Sequence, residues 1–177
     1  MADAFSLQWL IQAIIFILPA YVANAVPVIF GGGARIDSGK KFLNGKRLLG
    51  EGKTWRGLLS GIAAGFLAGT ILAFIVPAEY AYGLATSQRI ALAFLLSAGA
   101  LAGDLAGSFA KRRMGLPRGY PFLLMDQLPF LFTALIFAFP LHTPSIEELV
   151  FLAVITPVLH AVANRIAHFL KLKKVPW

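Results

Sequence analysis

Residues 103–127 read GDLAGSFAKRRMGLPRGYPFLLMDQ and join two apolar runs through a short basic turn. Two carboxylates flank the turn: Asp104 lies near the end of the first run and Asp126 near the start of the second. The cations between them are Lys111, Arg112, Arg113 and Arg118. An acid inside a membrane helix is costly to keep and points to a functional site. Two such acids across a basic turn are typical of a site for a metal ion and phosphate groups.

The composition is that of an integral membrane protein. The chain has 177 residues, of which 58% are hydrophobic and 14% are charged, and its mean hydropathy is +0.76. A soluble domain of this size is usually about 45–50% apolar and about 25% charged. We therefore expect one membrane-embedded domain over residues 1–177. It should contact the lipid bilayer and bind no nucleic acid. The chain has no cysteine, which excludes disulfides and thiolate metal sites.

Five apolar runs predict an all-α fold with five transmembrane helices. Each run is near or above the roughly 20 residues that a helix needs to cross the hydrocarbon core. The runs cover residues 5–30, 57–77, 89–110, 121–140 and 149–170. The first run has no basic start and no small-residue cleavage site, so we expect it to be retained rather than removed as a signal peptide. Pro19 and Pro27 are expected to kink it.

The basic residues predict the orientation of these helices. Of the 16 lysines and arginines, all but Arg89 fall in the segments 31–56, 111–118 and 165–174, on one side of the predicted helices. The positive-inside rule makes that side cytoplasmic, with the N-terminus outside and the C-terminus inside the cell membrane. Four acids lie on the same side: Asp37, Glu51, Asp104 and Asp126. We expect the first and third loops to form an active site on the cytoplasmic face.

The first loop is rich in glycine and in cations. It reads GGGARIDSGKKFLNGKRLLGEGKTWRG over residues 31–57. The GEGKT segment is similar to a phosphate-binding P-loop, but Arg47 stands where the first glycine of that motif would fall, which excludes a Walker-type ATPase. Lys53, Thr54 and Arg56 remain as candidates for phosphate binding at a helix start. The alternative is a flexible linker.

One face of the third run carries a polar set. Asp104, Gly107, Ser108 and Lys111 follow the spacing i, i+3, i+4 and i+7, which places them on one side of a helix. At about 1.5 Å per residue, Asp104 and Lys111 lie roughly 10 Å apart along it. Asp104 then either pairs with Lys111 or binds a metal, and the second acid at Asp126 favours the metal.

Small and polar residues on other runs predict how the helices pack. Gly61, Gly65 and Gly69 recur every four residues, as do Gly99, Gly103 and Gly107, and such stripes let membrane helices approach closely. The fifth run carries Thr156, His160, Asn164 and His168 at the same spacing, which predicts hydrogen bonds between helices. Asn24 in the first run is expected to bond another helix or to lie at the rim of the site.

Two segments carry a resemblance to a known family. KRLLGEGKTWRG at 46–57 and GDLAGSFAKRRMGLPRGYPFLLMDQLPF at 103–130 are similar to segments of CDP-archaeol synthases, archaeal enzymes that activate an unsaturated ether lipid with CTP. The similarity extends over essentially the whole chain. A more distant similarity to phosphatidate cytidylyltransferases lacks the His-Gly-Gly element of those enzymes, which favours the archaeal branch.

The resemblance implies a chemistry and a set of site residues. A prenylated glycerol-phosphate lipid attacks the α-phosphorus of CTP, pyrophosphate leaves, and CDP-archaeol remains in the membrane. The attacking phosphate has a second pKa near 6, so it needs no protein base. Asp104 and Asp126 would bind Mg²⁺, with Lys111 as a further catalytic residue. The substrate-binding set would be Lys53, Thr54, Arg56, Arg112, Arg118, Ser108, Gly107 and Asn24.

Three other functions remain as alternatives. A phosphatidate cytidylyltransferase would use an ester lipid. A small membrane transporter would need polar residues into the outer half of the helices, where the sequence has few. A CDP-alcohol phosphotransferase would carry a D-G-x-x-A-R pattern, which is absent.

Overall fold

The computed structural model describes residues 5–43, 45–116 and 123–172, and the regular secondary-structure elements within these ranges are all helices. The helices are α1 (Leu7–Ala25), α2 (Pro27–Phe30), α3 (Trp55–Ile75), α4 (Thr86–Arg113), α5 (Leu123–Ala138) and α6 (Ile146–Phe169). A 3-10 turn, Ala78–Tyr80, lies between α3 and α4. The prediction of an all-α fold is confirmed.

Within those regions, four spans are long and apolar enough to cross a membrane. They are Leu7–Phe30, which joins α1 and α2, then α3, α4 and α6. α5 has 16 residues, fewer than the roughly 20 that a perpendicular crossing requires. It ends where the backbone N–H groups of Leu141 and His142 both bond to the Ala138 carbonyl and turn the chain. The run predicted at 121–140 is therefore a shorter helix in its described part, and the count of five spans stays a prediction.

The two prolines of the first run behave differently. Pro19 lies inside α1, which continues through it. α1 ends at Ala25, and Pro27 begins the four-residue α2. Proline suits the first turn of a helix because it lacks the N–H that would be unbonded there. The predicted kink at Pro27 is thus a break between two helices.

The centre of the fold is α4, which packs against α1, α3 and α5, while α6 packs against α5. Both glycine stripes lie in these contacts. A Cβ at Gly61 would stand 2.6 Å from the Ala23 carbonyl oxygen of α1, and one at Gly99 would stand 2.8 Å from Cα of Ala134 on α5. No side chain fits at such distances, so the predicted close packing is confirmed. The core around these contacts includes the fully buried Ile17, Leu96, Leu131 and Leu152.

Thr156 and His160 of the polar stripe on α6 make the predicted bonds to other helices. The hydroxyls of Tyr21 and Thr156 lie 2.7 Å apart and join α1 to α6. The amide of Gln127 donates to Nδ1 of His160 at 3.3 Å and joins α5 to α6. Asn164 lies 3.1 Å from the same ring nitrogen, one turn along its own helix. His168 is exposed near the end of α6.

Candidate active site

The segment between α2 and α3 is folded back on itself at the end of the bundle where α3 begins and α4 ends. Isolated antiparallel bridges pair Arg35 with Thr54 and Lys41 with Arg47. The N–H of Ile36 donates to the Lys53 carbonyl at 3.0 Å, so the start and the end of the segment lie side by side. This bonding does not fit a flexible linker. It places Lys53 at a fixed point immediately before α3.

Two ion pairs connect this segment, α4 and α5. The Lys53 ammonium lies 2.5 Å from Oδ2 of Asp104, and the Lys111 ammonium donates to Oδ1 of Asp126. Both aspartate side chains are 27% exposed, which leaves each carboxylate reachable by a small ion or a phosphate. Asp104 and Lys111 are seven residues apart on α4, roughly 10 Å along its axis. The site thus contains two ion pairs, and α4 contributes the acid to one pair and the lysine to the other.

The alternative in which Asp104 pairs with Lys111 is wrong. Asp104 is bonded to Lys53, which enters from the folded loop, and Lys111 is bonded to Asp126 on α5. Asp104 and Lys111 do not pair because residues seven apart on a helix stand two turns from each other. Each acid therefore meets a lysine from a different segment of the chain.

A small open cleft lies beside the ion pair of Lys53 and Asp104. Lys53, Thr54 and Asp104 provide its polar side. Its apolar walls are Pro27, Ile36, Leu58, Leu101 and Leu105. A cleft with charges on one side and apolar walls on the other suits a ligand that has a phosphate and an apolar part.

Thr54 and Arg56 flank the start of α3 as predicted, and both already have backbone partners. The Thr54 hydroxyl oxygen accepts from the N–H groups of Gly57 and Gly32, each at 3.2 Å, so it caps α3 and holds the loop. Nε of Arg56 donates to the Phe30 carbonyl at 2.7 Å, and the side chain is exposed. The structure therefore assigns Thr54 a structural role, while the outer edge of Arg56 faces the solvent.

The other predicted residues lie at varying distances from the ion pairs. Arg112 lies beside the loop, since a Cβ at Gly50 would stand 4.0 Å from its Nε. Gly107 and Ser108 are buried on α4 between the two charged centres. Asn24 is half-buried in the last turn of α1. Arg118 lies outside the described residues.

Asp104 and Asp126 each offer the carboxylate oxygens that a magnesium ion prefers. Within the described ranges, no group of three or more histidines or acids is close enough to hold a metal. Mg²⁺ is commonly bound by one or two carboxylates together with substrate phosphates and water. The ammonium beside each aspartate shows that both carboxylates already attract a cation. Asp104 and Asp126 would be the residues that hold the ion.

A buried aspartate in the loop is a feature that the sequence did not single out. The Asp37 side chain is fully buried and pairs with Arg47 at 2.7 Å. It stands two residues before Gly39, whose N–H donates to Oδ1 of Asp37 at 3.0 Å. The Asp-x-Gly spacing, which is typical of a turn stabilised by its own aspartate, was the available signal.

Comparison with known proteins places the chain among archaeal lipid enzymes. The family model described as CDP-archaeol synthase, CarS-like, matches residues 6–177. CDP-archaeol synthase of Pyrococcus abyssi is 51% identical over 94% of this chain and 97% of its own length, and that of Methanococcus aeolicus is 47% identical over 94% and 96%. The solved structure of an intramembrane enzyme for archaeal membrane lipids biosynthesis is 42% identical, with a TM-score of 0.77 over 86% of this chain and 92% of that one.

The apolar helices and these relatives define a membrane enzyme of archaeal lipid biosynthesis. The chain belongs to the CDP-archaeol synthase family. It is accordingly a CTP-dependent nucleotidyltransferase of archaeal lipid biosynthesis, and the ester-lipid, transporter and phosphotransferase alternatives are disfavoured.

Proposed function

We propose that this chain joins the cytidylyl group of CTP to a prenylated glycerol-phosphate lipid with unsaturated ether chains. The observation that carries the proposal is the pair of Lys–Asp contacts that surround the end of α4. An oxygen of the lipid phosphate forms a bond to the α-phosphorus of CTP, and the bond from that phosphorus to the β-phosphate oxygen breaks. CDP-archaeol and pyrophosphate are the products. The names of the relatives support this choice of product.

The lysines hold phosphate groups in this scheme. Lys53 and Arg56 bind the triphosphate near the start of α3, and Lys111 and Arg112 bind phosphate at the last turn of α4. An incoming triphosphate competes with Asp104 and Asp126 for the two lysines. Asp104 and Asp126 would hold Mg²⁺, which when bound neutralises charge on the phosphate oxygens. Charge-assisted bonds from Lys and Arg to phosphate are among the stronger hydrogen bonds in proteins.

The attacking group needs no base from the protein. A phosphate monoester has a second pKa near 6 and is mostly a dianion at neutral pH. The work of the site is then to position two anions and to neutralise their repulsion, as in other phosphoryl transfers. Asn24, Gly107 and Ser108 would give supporting contacts, and Arg118 a further cation.

The site lies on the cytoplasmic face in this proposal. Fifteen of the 16 basic residues fall in the sequence segments 31–56, 111–118 and 165–174, which supports that orientation. With α5 as a fifth crossing, the N-terminus is outside and the C-terminus inside. A short crossing helix is compatible with local thinning of the bilayer.

A CTP-incorporation assay with purified protein tests the proposal. The acceptors are an unsaturated ether-lipid phosphate and an ester-lipid phosphatidate, each with Mg²⁺ and radiolabelled CTP. We expect label in a CDP-lipid with the ether lipid and a much lower rate with the ester lipid. Equal rates would contradict the choice of lipid, and no CDP-lipid from either would contradict the proposed reaction.

A further inference from the structure

We propose that Asp37 is a positioning residue for the nucleotide site, which fixes the backbone that carries Lys53. The inference rests on the proposed function, in which Lys53 holds a phosphate of CTP. Asp37 is 5% exposed as a residue, and its side chain lies inside the folded loop. Oδ1 accepts from Arg47 at 2.7 Å and from the N–H of Gly39 at 3.0 Å. Oδ2 accepts from the N–H groups of Leu49 and Gly50 at 3.3 and 3.2 Å.

The bonds of Asp37 lead directly to Lys53. Gly50, which Asp37 holds through its N–H, accepts from the N–H of Lys53 at 3.3 Å. The neighbour of Asp37, Ile36, donates to the Lys53 carbonyl at 3.0 Å. Both backbone groups of Lys53 are thus bonded to residues that are adjacent to Asp37 or bonded to it. From this fixed backbone the Lys53 side chain reaches Asp104.

Arg47 connects the same network to α4. Its guanidinium binds Asp37, and its carbonyl accepts from Arg113 at 2.6 Å. Arg113 lies in the last turn of α4, with its guanidinium carbon 4.4 Å from the centre of the Phe42 ring. The loop is therefore attached to the helix that carries Asp104, and the distance between Lys53 and Asp104 depends on this attachment.

The role requires a charged carboxylate. Burial on its own would raise the pKa of Asp37, but the guanidinium of Arg47 and the N–H groups of Gly39, Leu49 and Gly50 outweigh it and lower the pKa to about 2. Asp37 is ionised at any pH at which the enzyme is assayed. Its four partners all donate, so an asparagine would turn its NH₂ group towards donors in either orientation of the amide. Asp37→Asn keeps the volume of the side chain but cannot accept all four hydrogen bonds.

Steady-state kinetics of the full-length protein in detergent test the inference. Asp37→Asn is compared with Glu51→Gln, a matched control that removes one negative charge from the same loop and one bond to the same Arg47, but at a side chain that is 49% exposed. We expect Asp37→Asn to raise the KM for CTP about tenfold or more, since bonds to a buried charge are lost. The KM for lipid should change less than about twofold, and Glu51→Gln should leave both constants near wild type.

The outcomes separate this inference from the proposed function. Lys53→Met is measured in parallel. If Lys53→Met raises the KM for CTP and a folded Asp37→Asn does not, the positioning role is wrong and the proposed function stands. If Lys53→Met leaves the KM for CTP unchanged, the loop is not part of the nucleotide site. A selective rise at Asp37 supports the inference, because general loosening would raise both KM values and lower the melting temperature.

A second variant covers the case in which Asp37→Asn does not fold. Arg47→Lys keeps the charge but removes the forked guanidinium that bonds Asp37 and Glu51 together. The same selective rise in the KM for CTP is expected, with a smaller size. Wild-type constants in a folded Arg47→Lys protein would contradict the inference.

Discussion

At the scale of single residues, the site is defined by which lysine meets which aspartate. Asp104 bonds Lys53, 51 positions away in the chain, and Lys111 bonds Asp126, 15 positions away. Four residues thereby tie the loop, α4 and α5 together at one end of the bundle. A ligand that replaces the carboxylates as partner of the lysines acts on all three elements at once.

The Thr54 hydroxyl gives a prediction at this scale. Thr54→Ala removes the acceptor for the N–H groups of Gly57 and Gly32, and the loss of a helix cap costs about 1 kcal/mol. We expect a lower melting temperature in detergent together with a reduced rate, because the same hydroxyl holds the loop beside Lys53. Ser60→Ala is the control, since that hydroxyl only donates to a carbonyl of its own helix at 3.2 Å. Equal melting temperatures for the two variants would argue against the capping role.

At the scale of the helices, glycine decides how closely α1, α3 and α4 approach. A Cβ at Gly65 would stand 2.5 Å from the Pro19 carbonyl oxygen and 2.8 Å from Cβ of Ala23. Backbone atoms of α1 are in the way, and they cannot turn aside as a flexible side chain would. The position of α3 in the bundle, and with it the start of the helix at the site, depends on these glycines.

Gly65→Ala is predicted to destabilise the bundle. Alanine is the better helix former by roughly 0.5–1 kcal/mol, so helix propensity alone predicts a gain. Overpacking costs about 1–3 kcal/mol and should outweigh it. The melting temperature in detergent checks the sign of the change. Ala63→Val on the exposed face of the same helix is the control and should have little effect. A more stable Gly65→Ala protein would mean that the helices can separate without cost.

At the scale of the whole molecule, the sequence predicts the helices better than the site. Runs of about 20 apolar residues can only be satisfied as helices in a membrane, so the helix positions follow from composition. The glycine stripes and the α6 polar stripe follow from helical spacing in the same way. The partner of Asp104 cannot be predicted from helical spacing, because Lys53 comes from a loop whose path is set by Asp37, Arg47 and backbone bonds. The sequence predicts a substrate contact for Thr54, and in the structure its hydroxyl caps the start of α3.

The orientation of the molecule is tested by labelling. The chain has no cysteine, so single cysteines at Lys46 and Glu79 report the two ends of the bundle, and both side chains are exposed. With the basic end in the cytoplasm, an impermeant maleimide added to intact cells should label the cysteine at 79 and leave the cysteine at 46 unlabelled until the cells are lysed. Labelling at 46 in intact cells would reverse the proposed topology.

The central claim is that Asp104 and Asp126 hold a metal ion for the nucleotide and do more than balance lysines. The most direct measurement is the rate of CTP incorporation by the folded double variant Asp104→Asn with Lys53→Met. It removes the acid together with its observed partner and so strands no charge. Because Lys53 is itself proposed to hold a phosphate of CTP, the rate of the double variant is compared with that of Lys53→Met alone. The control is Glu51→Gln with Arg35→Met, an exposed ion pair in the same loop.

We expect the double variant at Asp104 to be about 100-fold or more less active than Lys53→Met alone, since a metal ligand contributes several kcal/mol to the transition state. Its Mg²⁺-dependent binding of CTP should also disappear, while the control stays near wild type. Asp126→Asn, paired with Lys111→Met, should behave like the variant at Asp104. Equal activity of the Asp104→Asn, Lys53→Met protein and of Lys53→Met alone would show that the acid only balances its lysine, and the metal assignment would be wrong.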